Sequence, residues 1–178
     1  NAWRCAAAYH YFTLAHLQLY SGKAEDAMFT AIRCCECSDI LGSDVFFLIA
    51  LAAFRAGYLG VCSTAFTKLE TQGLEESTTE NVRKLALQIF TRYPPKNDRQ
   101  LLRCYTECLQ TGSPYDACVL SGRSILNERT MQCKTCHHFV LESEAGQLSS
   151  CPLCHSHLAV DEALVTILEE DDDEESDE

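Results

Sequence analysis

Cys133-Lys-Thr-Cys136 and Cys151-Pro-Leu-Cys154 stand fourteen residues apart. Paired Cys-x-x-Cys motifs at this separation are a zinc-ligand pattern. Each pair can present two thiols from one tight turn. Two such turns facing each other make a tetrahedron of sulfur, which suits Zn²⁺. The competing readings are unligated thiols in a loop-rich segment and a redox-active dithiol. A thioredoxin-type dithiol needs a strand-helix setting, and the residues flanking these pairs look instead like ribbon knuckles. The pattern predicts one Zn²⁺ per chain on Cys133, Cys136, Cys151 and Cys154. A catalytic zinc keeps one position for water, whereas four thiolates close the site, so the metal is expected to be structural. The chain carries no Gly-rich phosphate loop, no His-Glu-x-x-His and no coherent nucleophile–base pattern, and no enzymatic activity is expected.

Other side chains compete for the same chemistry. His137, His138, His155 and His157 flank the pairs and could replace a thiolate. With four cysteines present they are expected beside the cluster, where imidazoles, Lys134 and backbone N–H groups offset the −2 charge of a tetrathiolate zinc. Cys118 is a fifth candidate, expected as a buried hairpin residue. Cys34, Cys35 and Cys37 crowd one helix end. Adjacent helical residues point about 100° apart, which argues against ligation and for packing. Cys104 and Cys108 share a helical face, and two ligands do not complete a zinc site. Cys-Pro-x-Cys also occurs in RING ubiquitin ligases, but a RING interleaves eight ligands around two zincs. The spacing here supplies only one four-cysteine set.

The elements that position the pairs are mostly helical. Residues 2 to about 20 read as a helix, with Trp3, Ala7, His10, Tyr11, Leu14, Ala15 and Leu17 at three- and four-residue steps. Ser21-Gly22 closes it. A second helix runs from Glu25 to about Cys37, ending before Leu41-Gly42. A third, capped by Ser43 and reaching Ala56, is nearly all apolar and is expected to be buried on more than one side. Tyr58–Leu69 forms a fourth. Ser77 or Thr78 caps a fifth, which Pro94-Pro95 stops. Aligning Gly22 with Gly57 brings Leu14-Ala15 onto Ile49-Ala50 and Tyr11 onto Phe46. Helix-turn-helix units at this period, with small residues where helices cross, are the tetratricopeptide pattern in degenerate form. A polar connector follows, with a short helix through Leu101, Leu102, Tyr105 and Leu109. Tyr115–Leu120 and Arg123–Leu126 then read as a hairpin around Ser121-Gly122, and Phe139–Leu141 as a strand. Ala159–Leu168 is weakly helical.

The fold class is therefore mainly α. Tetratricopeptide-like repeats occupy 1–93, a connector 94–112, a small β-rich zinc-ribbon-like module 113–160, and an acidic disordered tail 161–178. The formal charge of −12 comes from that tail. Residues 161–178 hold eleven acids and no Lys or Arg, and the remainder is nearly neutral. No basic face or basic run suggests a nucleic-acid footprint. No apolar run is long enough to cross a bilayer, so direct membrane insertion is not expected. The chain opens at Asn1, which reads as a piece of a larger protein without a charged-then-apolar leader. Four of twelve cysteines sit in metal pairs and most others in helical apolar patterns, a usage that fits a reducing cytosol.

Short strings along the chain carry a family resemblance. They include Asn1-Ala-Trp-Arg4, Ala8-Tyr-His10, Gln18-Leu-Tyr20 with Gly22, Lys68-Leu-Glu70, Leu85-Ala-Leu87, Lys96-Asn-Asp-Arg99, Cys118-Val119 with Gly122, and Cys151-Pro-Leu-Cys-His-Ser156. Over residues 1 to about 158 the chain resembles the C-terminal region of the intraflagellar transport protein 121 family. The resemblance implies a subunit of intraflagellar transport complex A, built as WD propellers, a tetratricopeptide solenoid and a terminal zinc-binding domain. It implies work in retrograde ciliary transport and in entry of membrane proteins into cilia. The implied partners are the other complex A subunits, and the implied locations are the cilium, the basal body and the cytoplasm. The Cys34–Cys37 group and the acidic tail are departures from the family. The rival reading is a ubiquitin-pathway module, ligase or ubiquitin binder, acting on cargo. Two zincs per chain would mark it.

Overall fold

A computed structural model describes residues 2–95, 100–146, 148–158 and 164–165. Helix α1 covers Ala2–Tyr20 and α2 Ala24–Arg33. A 3-10 turn, Cys34–Cys37, leads into the short α3, Ser38–Leu41. Then come α4, Asp44–Ala56, α5, Leu59–Glu70, α6, Glu76–Arg92, and α7, Arg103–Thr111. Helices α1/α2 and α4/α5 form two stacked hairpins, with α2 against α4 and α6 laid on α5. Alanines line the crossings: Ala15, Ala27, Ala31, Ala52, Ala53 and Ala65 are essentially inaccessible. Small side chains let the helix axes approach, and Met28, Ile32, Ile49 and Leu69 fill the spaces between them. Gly57 ends α4 in the left-handed conformation (φ 83°), turning the chain directly into α5. Among the described residues no helix is long and apolar enough to cross a membrane.

Several expectations shift in detail. Trp3 and Leu17, counted above on the packed stripe of α1, are 39% and 62% exposed. The stripe that is buried is Ala7, Ala8, Tyr11, Ala15, Gln18 and Leu19, because α1 serves both α2 and a later loop. The second helix stops at Arg33 rather than Cys37. Its end is held by Arg33, whose guanidinium is buried between the rings of Tyr11 (5.3 Å) and Tyr115 (5.4 Å) and paired with Glu36. A 3-10 turn stacks residues three apart, which puts Cys34 and Cys37 on one inward side. All three cysteines of the turn are buried packing residues. Ser43 flanks α4, but its hydroxyl makes no capping bond. The fifth helix begins at Glu76, ahead of the expected Ser77 or Thr78 cap. The apolar α4 is buried on two sides, while Phe47, Leu51 and Phe54 leave a third side open.

The C-terminal half packs onto this stack. Phe29 of α2 stacks on Tyr105 of α7 at 4.5 Å, and Tyr105 meets Tyr115 edge-on at 5.3 Å. Cys108 donates its thiol hydrogen to Ile32 O at 3.3 Å. Residues 115–126 fold back at Ser121-Gly122 as the expected hairpin. Cys118 N donates to Arg123 O at 2.8 Å and Ile125 N to Asp116 O at 3.2 Å around the bridge Ala117↔Ser124, although the arms are too short to form regular strands. The outward-facing backbone groups bond to neighbouring elements. Val119 N donates to Phe139 O at 2.9 Å. On the other side, Tyr11 Oη donates to Ala117 O (2.9 Å), Gln18 Nε2 to Ser121 O (2.8 Å), and His10 Nε2 lies 2.6 Å from Val119 O. The loop is thus the joint between α1 and the sheet that follows. Burial lowers the His10 pKa below 6.5, with His138 and His155 adding to the effect.

The sheet has order β2-β1-β3, from β1 (Arg129–Gln132), β2 (Phe139–Leu141) and β3 (Leu164–Val165), all antiparallel. A one-turn helix, α8 (Glu142–Ala145), follows β2. Of the stretch expected to be weakly helical, only Leu164 and Val165 are described. They are extended and pair with Arg129 and Thr130, completing the free edge of β1. The rest of the expected acidic tail lies outside the described residues.

The joint gives a first testable consequence. Tyr11→Phe keeps the ring beside Arg33 but strips a buried carbonyl of its donor. The expected cost is about 1–3 kcal/mol, read as a lower denaturant midpoint of the zinc-loaded chain. An unchanged midpoint would mean that Ala117 O finds another donor.

Candidate metal centre

Cys133 directly follows β1, and Cys136 precedes β2 by three residues, so the first pair sits in the β1–β2 turn. The register Gln132↔Phe139 places Cys133 opposite His138. Cys133 N donates to His138 O at 2.9 Å, and His137 N donates back to Cys133 O at 2.8 Å. The second pair repeats this pattern. Ser150 bridges His157, Cys151 N donates to Ser156 O at 2.8 Å, and His155 N donates to Cys151 O at 2.9 Å. His137 and His155 occupy equivalent places with φ of 59° and 58°. The left-handed residue lets the chain reverse just past the second cysteine of each pair, so both sulfurs face inward.

The four sulfurs lie within 4.8 Å of one another. Cys133 Sγ is 3.6 Å from Cys154 Sγ, and Cys136 Sγ is 3.7 Å from Cys151 Sγ. A tetrahedron with Zn–S bonds of about 2.3 Å has edges of roughly 3.8 Å, so the cross-pair spacings fit the ion. The charge pattern fits as well. The Cys133 thiol is opposed by burial, but the Ser156 hydroxyl and the backbone N–H groups of Cys136 and Thr135 bring it down to about 6. Burial pushes Cys136 and Cys151 up. Four thiols this close cannot all ionise without a cation among them, and a divalent ion would supply it.

The histidines stand outside this group. His138 Nδ1 lies 2.9 Å from Cys136 O. Cys118 is buried away from the cluster, its sulfur accepting Leu141 N at 3.3 Å and donating to Glu144 Oε2 at 3.3 Å. Among the described residues no second cluster of this kind is found, whereas a cross-braced RING holds two. Strand β1 was not anticipated, since Arg129-Thr-Met-Gln132 shows no clean alternation. Ser156 was also not singled out. Its signal was the repeated Cys-x-x-Cys-His, which places His138 and Ser156 at matching positions.

With this geometry in view, comparison with known proteins decides the family. A family model described as IFT121-like tetratricopeptide repeats matches residues 1–97, more than half of the chain. The chain belongs to the IFT121-like family. A second family model, the second zinc finger domain of IFT121, matches residues 116–159, where the four thiols converge. This part of the IFT121-like chain is a zinc-binding module. WD repeat-containing protein 35 of Rattus norvegicus and of Mus musculus are each 39% identical over 159 residues, covering 88% of this chain. The Homo sapiens protein of that name is 37% identical over 160 residues. The aligned segment is only 13% of the length of each relative.

Proposed function

We propose that this chain is a non-enzymatic docking piece of an intraflagellar transport complex A subunit, with Cys133, Cys136, Cys151 and Cys154 holding one structural Zn²⁺. The observation that carries the reading is family membership across both the helical repeats and the zinc module. Bound zinc would supply folding energy to a module whose strands are too short to form a large core. The protein's own contribution is to aim four sulfurs inward and to surround them with donors. In this reading the repeats (1–93), the connector (94–112), the zinc module (113–160) and the acidic tail (161–178) are successive parts of one scaffold. It works at the cilium, the basal body and the cytoplasm, in retrograde transport and membrane-protein entry.

The exposed apolar residues support docking. Phe47, Leu51 and Phe54 follow one face of α4 at helical spacing, and each is more than a third exposed. The test is affinity purification of the tagged chain from ciliated cells. Complex A subunits should co-purify with the unaltered chain. Recovery should fall at least fivefold with Leu51→Glu, which leaves the cores intact. If no complex A subunit is recovered with the unaltered chain, the proposed assignment fails.

A further inference from the structure

The two cysteine turns share one backbone pattern, and the residues two past the second cysteine, His138 and Ser156, carry different side chains. In the first turn, Cys136 accepts a backbone N–H from His138. The matching positions in the second turn are Cys154 and Ser156. Cys154 alone of the four cysteines is not buried. Ser156 Oγ lies 3.0 Å from Cys154 Sγ and 3.4 Å from Cys133 Sγ. It therefore bridges one sulfur from each pair. Its carbonyl is fixed by Cys151 N at 2.8 Å, so the hydroxyl is carried on a backbone already tied to the turn.

We infer that Ser156 is a positioning residue of the zinc centre, donating its single hydroxyl proton to Cys154 Sγ with Cys133 Sγ as the alternative acceptor. The inference rests on the four-cysteine assignment proposed above. A thiolate on zinc carries excess negative charge, and an outer donor disperses that charge and fixes the ligand's orientation. The same bond lowers the electron density that an electrophile meets at the sulfur of the least buried cysteine. Removing an outer partner of a metal ligand costs about 10–100-fold in affinity.

The test uses the whole chain of 178 residues, titrated for zinc against a chromophoric chelator. Alkylation of Cys154 in the zinc-loaded chain is followed in parallel by mass spectrometry. Ser156→Ala should weaken zinc at least tenfold and speed Cys154 alkylation. Ser156→Thr, which keeps the hydroxyl, should restore both. Zinc affinity within twofold of the unaltered chain for Ser156→Ala overturns the inference. So does a Ser156→Ala chain that loses its helical signal under saturating zinc, since the side chain would then be acting in packing. Cys133→Ser separates the two levels. If Cys133→Ser loses zinc while Ser156→Ala does not, only the role of Ser156 fails. If Cys133→Ser binds zinc as tightly as the unaltered chain, the four-cysteine assignment fails and takes this inference with it.

Discussion

A chain carrying Cys133→Ser together with Cys151→Ser will lose order from about residue 116 to 158, while α4, α5 and α6 remain helical. Structural zinc contributes about 10–16 kcal/mol to the folding of small zinc modules. Strands of four, three and two residues do not replace it. The loss should also reach beyond the module. Tyr11, Gln18 and His10 all bond to carbonyls of 117–121, so the face of α1 turned toward that loop loses its acceptors together. Hydrogen exchange followed by mass spectrometry should show residues 129–158 exchanging at the rate of an unfolded chain. Exchange should rise moderately in α1 and remain unchanged in α5. Retained protection across 129–141 would show that the sheet folds without the metal.

Gly122→Ala is expected to be strongly destabilising although it adds only one methyl group. Gly122 sits at φ 75° against α2, and a Cβ there would lie 2.1 Å from Thr30 Oγ1 and 2.7 Å from both Thr30 Cβ and Cγ2. Thr30 cannot give way. It is fully buried, its χ1 is restricted by β-branching, and its hydroxyl lies 2.7 Å from Gln18 Oε1 and 2.9 Å from Asp26 O. Overpacking of this kind costs roughly 1–3 kcal/mol, and the left-handed backbone adds about 1–2 kcal/mol. A total near 3 kcal/mol lowers the melting temperature by roughly 6–12 °C for a chain of this size. Gly57→Ala is the control. Its φ is 83°, but nothing lies within 4 Å of the added methyl group, so it should show only the backbone part. Equal losses at the two glycines would mean that the joint between loop and helix yields easily.

These two predictions differ in how far they could be read from the chain alone. The cysteine turns were legible because ligand type and spacing are local and chemical. Cys133-x-x-Cys136 and Cys151-x-x-Cys154 need no knowledge of the rest of the fold. The helical hairpins were legible because apolar periodicity and the Gly22 and Gly57 stops are also local. The joint was not. Thr30 and Gly122, Tyr11 and Ala117, and Gln18 and Ser121 are about a hundred positions apart, and no periodicity links them. The early end of α2 has the same origin. Arg33 is drawn between Tyr11 and Tyr115, one of them far along the chain. Residues 115–126 alternate like a hairpin and pair as one through Cys118–Arg123 and Ile125–Asp116, but nothing local shows that their outward backbone groups bond to Phe139 and to α1 side chains.

The zinc module stands or falls with four cysteines closing around one metal ion. The most direct measurement is elemental analysis of the purified chain, with thiol titration before and after chelation. One zinc per chain, with four further thiols becoming reactive on chelation, is the expected result. A chain that carries no zinc, or one whose thiol count is the same before and after chelation, would show that these cysteines hold no metal.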